Sequence, residues 1–451
     1  MTRGRVAIRL LGIALIFVVL GSALVACTLR HVATLPAQPV VSVADASILT
    51  EPIVARLPNA EQVGRGQYLV RAGDCLSCHL TAGGQPFAGG LGLNTPFGVI
   101  YSSNITSDKD RGIGDWTPDQ FYRAMHEGIG IHGEHLYPAF PYPWFTQVSR
   151  QDDDAILAYL KTVPAADTIP PANALPFPLN IRAVVTAWNV LFLNSKTFTR
   201  DPTQSEEWNK GAAIVNGLGH CGGCHTPKNR LGADKRGDQF HGGVSDNFVA
   251  PDLTDNVQTG LGDWTVDDIT EYLHTGRSAR ASAGGPMADV VTYSTSLLND
   301  EDRHAIAVYL KTQAARVADT PNSPDRTAMK RGAEVYSDAC SSCHLGDGLG
   351  QPRFFPPLGK NAVVQQPNPI GVLHILLAGS RVGPSPSRPS PLTMPSFAWK
   401  LTDQEIADVS TYMRNSWGNH ASTVSADAVR SLREKLQLQT VHLTDNSGDH
   451  D

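Results

Sequence analysis

The pentapeptide Cys75-Leu76-Ser77-Cys78-His79 constrains this chain more than any other stretch, because its pattern recurs twice. The other copies are Cys221-Gly222-Gly223-Cys224-His225 and Cys340-Ser341-Ser342-Cys343-His344. With 7 Cys and 15 His among 451 residues, chance would supply about 0.004 such matches per chain. Two thiols one helical turn apart can form thioether bonds to the two vinyl groups of a porphyrin, and the adjacent histidine then meets its iron. A zinc ribbon instead pairs two C-x-x-C units roughly 15–20 residues apart, far closer than Cys75 lies to Cys221 or Cys221 to Cys340. A thioredoxin-like pair needs no histidine after every copy. Cys75, Cys78, Cys221, Cys224, Cys340 and Cys343 are therefore read as attachment points for three covalently bound haem c groups, with His79, His225 and His344 as their proximal iron ligands.

The length suits about three domains, which agrees with the motif count. A net charge of −6, with no Lys/Arg-dense run beyond the N-terminus, excludes a nucleic-acid binder. Abundant Gly (41) and Pro (31) fit compact helical domains joined by long turns. The expected fold is all-α, with three class I cytochrome c-like domains in tandem at 61–166, 204–318 and 319–422. A tether at 28–60, a Pro-rich connector at 167–203 and a C-terminal tail at 423–451 complete the chain.

The six motif cysteines leave only Cys27. Arg3, Arg5 and Arg9 precede an apolar run from Leu10 to Val25, the order of an export signal. Leu24-Val25-Ala26-Cys27 resembles a bacterial lipoprotein box with Cys27 as the lipidated residue. The alternative is an uncleaved anchor, since the run is slightly shorter than the roughly 20 residues of a membrane span. Both place the chain at the periplasmic side of a bacterial membrane, held at its N-terminus.

Internal repetition extends beyond the motifs. Gly112-Ile113-Gly114-Asp115-Trp116 recurs as Gly260-Leu261-Gly262-Asp263-Trp264, nearly the same spacing as the first two motifs, so a whole domain is repeated. Thr117-Pro118-Asp119-Gln120 and Thr402-Asp403-Gln404-Glu405 mark helix starts, with a capping residue followed three positions later by Gln or Glu. Closing helices are expected around Asp152–Lys161, Ala305–Thr312 and Asp408–Met413. The apolar segment from Ala183 to Leu193 is too short to span a bilayer and is expected to be a helix packed between domains.

A distal ligand decides whether a c-type site only passes electrons or also binds small molecules. Met394 lies 50 residues after His344 and just before the last helix, where small class I cytochromes carry their methionine. Met287, in Gly285-Pro286-Met287-Ala288, is its equivalent in the second domain. Both are expected in loops. The corresponding first-domain stretch, His132-Gly133-Glu134-His135-Leu136-Tyr137-Pro138-Ala139-Phe140, has no methionine, and Met125 reads as core. The candidates there are His135, His132, His126 or an open position, with His135 favoured. Imidazole in place of thioether would give the first haem the lowest potential. Near the third haem, Pro357 of Phe355-Pro356-Pro357-Leu358-Gly359 is expected to offer the carbonyl that orients the proximal histidine.

Nearly the whole chain after residue 60 resembles the triple-haem cytochrome c subunits of membrane-bound bacterial dehydrogenases of the alcohol, gluconate, sorbitol and fructose type. The resemblance rests on Gly66-Gln67-Tyr68-Leu69, Phe87-Ala88-Gly89-Gly90, Asn104-Ile105-Thr106, Leu136-Tyr137-Pro138-Ala139, Gly219-His220-Cys221, Gly285-Pro286-Met287 and Arg414-Asn415-Ser416-Trp417-Gly418-Asn419. It implies an electron-transfer subunit with no substrate pocket of its own. Such a subunit takes electrons from a quinoprotein, flavoprotein or molybdenum-containing dehydrogenase and passes them to ubiquinone or a terminal oxidase. That family often carries Met where this chain has Phe140. The rival readings are a multihaem enzyme such as a peroxidase and a free-standing carrier feeding an oxidase.

Overall fold

In each third of the chain a helix leads into the C-x-x-C-H motif and a second helix crosses over it near the end of the repeat. A computed structural model describes residues 47–51, 57, 59–245, 247–316 and 323–438; the export signal, Cys27 and most of the tether lie outside them. The lead-in helices are Ala60–Ala72, Glu206–Asn216 and Arg326–Ala339. The closing helices are Arg150–Leu160, Asp300–Leu310 and Asp403–Met413.

Each crossing is made possible by one glycine. A Cβ on Gly66 would lie 1.9 Å from the Ala155 carbonyl oxygen, one on Gly211 2.0 Å from that of Ala305, and one on Gly332 2.2 Å from that of Asp408. No side chain fits there, so the backbones touch directly. One turn further along the closing helix stands a tyrosine in every case: Tyr159, Tyr309 and Tyr412.

The expected helix starts are present. Thr117 and Gln120 form a reciprocal capping box with Pro118 in the first turn, as do Thr402 and Glu405. Thr265 and Asp268 form a third. Strands are short: Gly92–Thr95 pairs with Gly98–Tyr101, Gly243–Ser245 with Phe248–Ala250, and Ser380–Arg381 with Thr393–Met394, all antiparallel. The chain is thus mostly helical.

The first two boxes share one apolar core, whereas the third has its own. Trp144 of the first box covers Gly222 of the second motif so closely that a Cβ there would lie 2.2 Å from the ring. Phe145 meets His220 edge to face at 5.5 Å, and the Tyr68 hydroxyl donates to Asp302. The seam between the second and third boxes is more polar. Gln366 Nε2 donates to the Thr259 carbonyl at 2.6 Å, Gln365 Nε2 to that of Gln258 at 3.1 Å, and Arg353 forks onto Glu271.

Two segments depart from the sequence expectation. The stretch Ala183 to Leu193 does form a helix, Val184–Phe192, but it is not packed between domains, and Val185 is its one buried residue. It lies across the outside of the seam between the first two boxes. Asn189 accepts from the Tyr142 hydroxyl at 2.5 Å, and Trp188 Nε1 donates to the Leu231 carbonyl at 2.9 Å. Within the expected C-terminal tail, helix Ala426–Lys435 packs Val429 and Leu432 onto the third box. Its buried Arg433 donates to Asp403 and to the carbonyls of Ala398 and Leu401.

Candidate functional site: three haem-attachment motifs

Cys75–Cys78, Gly222–His225 and Ser341–His344 are single helical turns, so each motif presents its two sulfurs and its histidine from one turn of backbone. Burial pushes the Cys75, Cys78 and Cys221 thiols up to about 12 and Cys340 up to about 11. A redox C-x-x-C or a zinc site needs the opposite, a stabilised thiolate. Among the described residues, no cluster of three or more His, Cys, Asp or Glu could hold a metal ion.

The three histidines are oriented alike. Nδ1 of His79 donates to the Ser103 carbonyl at 2.6 Å, that of His225 to Pro251 at 2.7 Å, and that of His344 to Pro356 at 3.0 Å. Burial lowers all three pKa values, with the carbonyl bond as a smaller opposing effect. Each ring is held neutral with its proton on Nδ1, which leaves the Nε2 lone pair for a metal. Pro356, not Pro357, bears the orienting carbonyl in the third box. The Pro357 oxygen points the other way and accepts from Asn361 Nδ2 at 2.9 Å.

A second shared contact was not foreseen. The backbone carbonyl of each motif histidine accepts an N–H from a left-handed glycine: Gly89 at 3.1 Å, Gly242 at 3.0 Å and Gly350 at 3.1 Å, with φ of 72°, 78° and 60°. Phe87-Ala88-Gly89 and Phe240-His241-Gly242 carry it in the first two boxes, and the repeated Phe-x-Gly could have revealed it.

The segments expected to supply the distal ligands of the first two boxes share a register. Leu136 N–H bonds the Gly128 carbonyl at 2.7 Å and Ala283 N–H bonds that of Gly276 at 2.7 Å. The bridges Ile129–His135 and Arg277–Ser282 also correspond. Counting four residues on from Leu136 and Ala283 pairs Phe140 with Met287. His135 corresponds to Ser282, and its Nδ1 is buried with no hydrogen-bond partner among the described residues. His132 is exposed. His126 is engaged elsewhere: its Nε2 lies 2.7 Å from buried Asp153 and its ring stacks on Tyr122 at 4.0 Å. Met125 is core, as expected.

Met287 and Met394 do not stand in loops. Met287 is the second residue of helix Pro286–Tyr293, and Met394 sits in a strand opposite Ser380. The two distal segments touch, since a Cβ on Gly284 would lie 2.3 Å from Ser380 Oγ. Helix Pro286–Tyr293 also meets the first attachment turn. There burial pushes Asp74 up to about 7 and Asp289 up to about 6, and Ser77 Oγ donates to Asp74 at 2.5 Å. Two thiols, a neutral imidazole with its far nitrogen tied and, in two boxes, a thioether form a donor set that fits covalently bound haem c.

Comparison with known proteins points to the same cofactor. The family model for cytochrome c matches residues 63–164, 209–314 and 329–417. The gluconate 2-dehydrogenase cytochrome c subunit of Pantoea cypripedii is 39% identical over 404 residues, covering 84% of this chain and 91% of that protein. The cytochrome c subunit of the alcohol dehydrogenase (quinone) of Gluconobacter oxydans is 40% identical over 395 residues, 82% of each chain. The fructose dehydrogenase cytochrome subunit of Gluconobacter japonicus is 36% identical over 413 residues, 85% of each. With the same attachment motif in every box and this likeness along most of its length, the chain belongs to the cytochrome c family, among the cytochrome c subunits of bacterial dehydrogenases.

Proposed function

We propose that the chain carries three covalent haem c groups and relays electrons from a catalytic dehydrogenase to ubiquinone at the periplasmic face of a bacterial membrane. The carrying observation is the threefold recurrence of one arrangement: a C-x-x-C turn, a histidine with Nδ1 tied to a carbonyl, and a glycine N–H on that histidine's own carbonyl. Haem c supplies one-electron chemistry when bound. Cys75 and Cys78, Cys221 and Cys224, and Cys340 and Cys343 would hold the groups, with Nε2 of His79, His225 and His344 and the thioethers of Met287 and Met394 available to the iron.

In the first box His135 takes the distal role, supported by its orphaned buried Nδ1 and by the phenyl ring at the methionine position. The polypeptide's part is to fix tautomers, exclude water and keep the boxes in contact. The partner is a quinoprotein, flavoprotein or molybdenum-containing dehydrogenase, and an N-terminal lipid on Cys27 or an uncleaved helix tethers the chain. Among the described residues, no helix is long and apolar enough to cross a membrane.

Mass spectrometry of the exported protein tests the haem count, with three haem additions expected. Affinity purification under mild detergent should recover a large dehydrogenase whose substrate reduces the bound haem, and a ubiquinone analogue should reoxidise it. A mature protein lacking the additions, or haem that stays oxidised with partner and substrate present, overturns the reading.

A further inference from the structure

The connector between the first two boxes has the surface character of a membrane-contact element. Ile169, Phe177, Ile181, Val184, Val190 and Leu191 are all exposed, with Phe177 at 62%, Val190 at 81% and Leu191 at 57%. Leu231, 56% exposed, joins them through the Trp188 bond to its carbonyl. Monomeric proteins scatter such residues singly, but here they are gathered on one segment.

The helix Val184–Phe192 shows how they are arranged. Val185, Trp188 and Asn189 face inward, through burial or hydrogen bonds, while Val184, Ala187, Val190 and Leu191 line the outer side. An ordinary surface helix carries charge there. Nine residues span about 14 Å at 1.5 Å per residue, under half of a bilayer core of about 30 Å. The helix can therefore lie in an interface but not cross it.

Charge selects the occupant. Between Asp167 and Asp201 there is no acidic residue, while Arg182 and Lys196 are present and Arg200 is paired with Glu206, in a chain whose net charge is −6. Arg230 and Arg236 border the same patch from the second box, and Arg236 donates to the Leu191 carbonyl at 3.1 Å. Apolar side chains rimmed by cations suit a layer of anionic headgroups over hydrocarbon. A protein partner would need polar anchors, about one hydrogen bond per 100–200 Å² of contact, and the helix's outer face offers only the Thr186 hydroxyl. We infer that the connector, through Val184–Phe192 and the flanking Ile169–Ile181 loop, inserts shallowly into an anionic bilayer surface and turns the seam of the first two boxes toward the lipid. This rests on the membrane location proposed above but not on its N-terminal tether.

The test is the full haem-loaded chain with Val190→Cys spin-labelled, mixed with vesicles of phosphatidylglycerol and phosphatidylethanolamine. Val257→Cys, at an exposed site beside the third box, is the control, and the parent chain gives any background from Cys27. At position 190 the label should gain accessibility to oxygen and lose accessibility to a water-soluble nickel chelate by severalfold. At position 257 it should stay aqueous, and phosphatidylcholine vesicles at high salt should shrink the effect at 190. A label at 190 that stays as aqueous as at 257 while the protein remains on the vesicles leaves the tether standing and overturns the inserted connector. Shielding at 190 by the purified dehydrogenase partner without vesicles also overturns it, and assigns the patch to a protein interface.

Discussion

Phe140 is the residue at which this chain leaves its own repeat, and restoring the repeat makes a sharp experiment. Phe140→Met places a thioether where Met287 stands in the second box, because both follow the same backbone bond by four residues. Combined with His135→Ala, which vacates the proposed distal position, the variant should gain an additional thioether-to-iron charge-transfer band. One redox component should rise by on the order of 0.1 V, since axial ligation alone spans about 0.8 V among haem proteins. His135→Ala in the unaltered background should open that iron to carbon monoxide in the reduced protein, seen as one binding equivalent. The three C-x-x-C-H turns were legible in the sequence because the proposed covalent chemistry fixes their spacing. The choice of Pro357 missed by one residue because neighbouring carbonyls point in opposite directions, and only the loop's path selects between them. His126 was an open candidate for a similar reason: its partner Asp153 lies 27 residues away and one helix across.

Helices were readable wherever a cap and a period coincided, as at Thr117 and Thr402. What the sequence did not disclose was the contact that sets two helices against each other. Gly66, Gly211 and Gly332 lie at slightly different distances from their motifs and sit inside helices, where glycine reads only as a weakness of about 1 kcal/mol. Their shared purpose appears once Ala155, Ala305 and Asp408 carbonyls are found against them. Gly211→Ala should therefore destabilise rather than stabilise, by about 1–3 kcal/mol for an overpacked contact, despite alanine's higher helix propensity. Thermal unfolding followed by circular dichroism measures this. Gly64→Ala, on the same turn as Gly66 but with open space at its Cβ, should show no such loss. The connector helix was found by its apolar run, but the run could not say which way it faced. Periodicity places residues on a cylinder and leaves open whether a neighbour or solvent covers the outer side.

At the level of the whole molecule, the division of the core predicts how the protein comes apart. The first two boxes share one apolar core and lock it with specific contacts, Trp144 over Gly222 and Tyr68 on Asp302, whereas the third box keeps its own core behind a seam where amide and guanidinium hydrogen bonds accompany the stack of Phe248 on His374. Polar seams resemble transient interfaces and let neighbours unfold independently. Denaturant titration of the haem-loaded protein should resolve two transitions, with about two thirds of the haem-band change in one and a third in the other. Tyr68→Phe removes the hydroxyl from Asp302 and from the Asn299 N–H. It should lower the larger transition by about 1–3 kcal/mol, the cost of leaving a buried acceptor unmet, without moving the smaller one. A single concerted transition would mean that the third box is bound as tightly as the other two. A shift of both by Tyr68→Phe would mean that the shared core reaches further than its apolar residues show. Independent unfolding also bears on the proposed relay, because the segments that carry Met287 and Met394 meet across that seam at Gly284 and Ser380. A third box that opens locally there should slow reduction between boxes before any haem is lost.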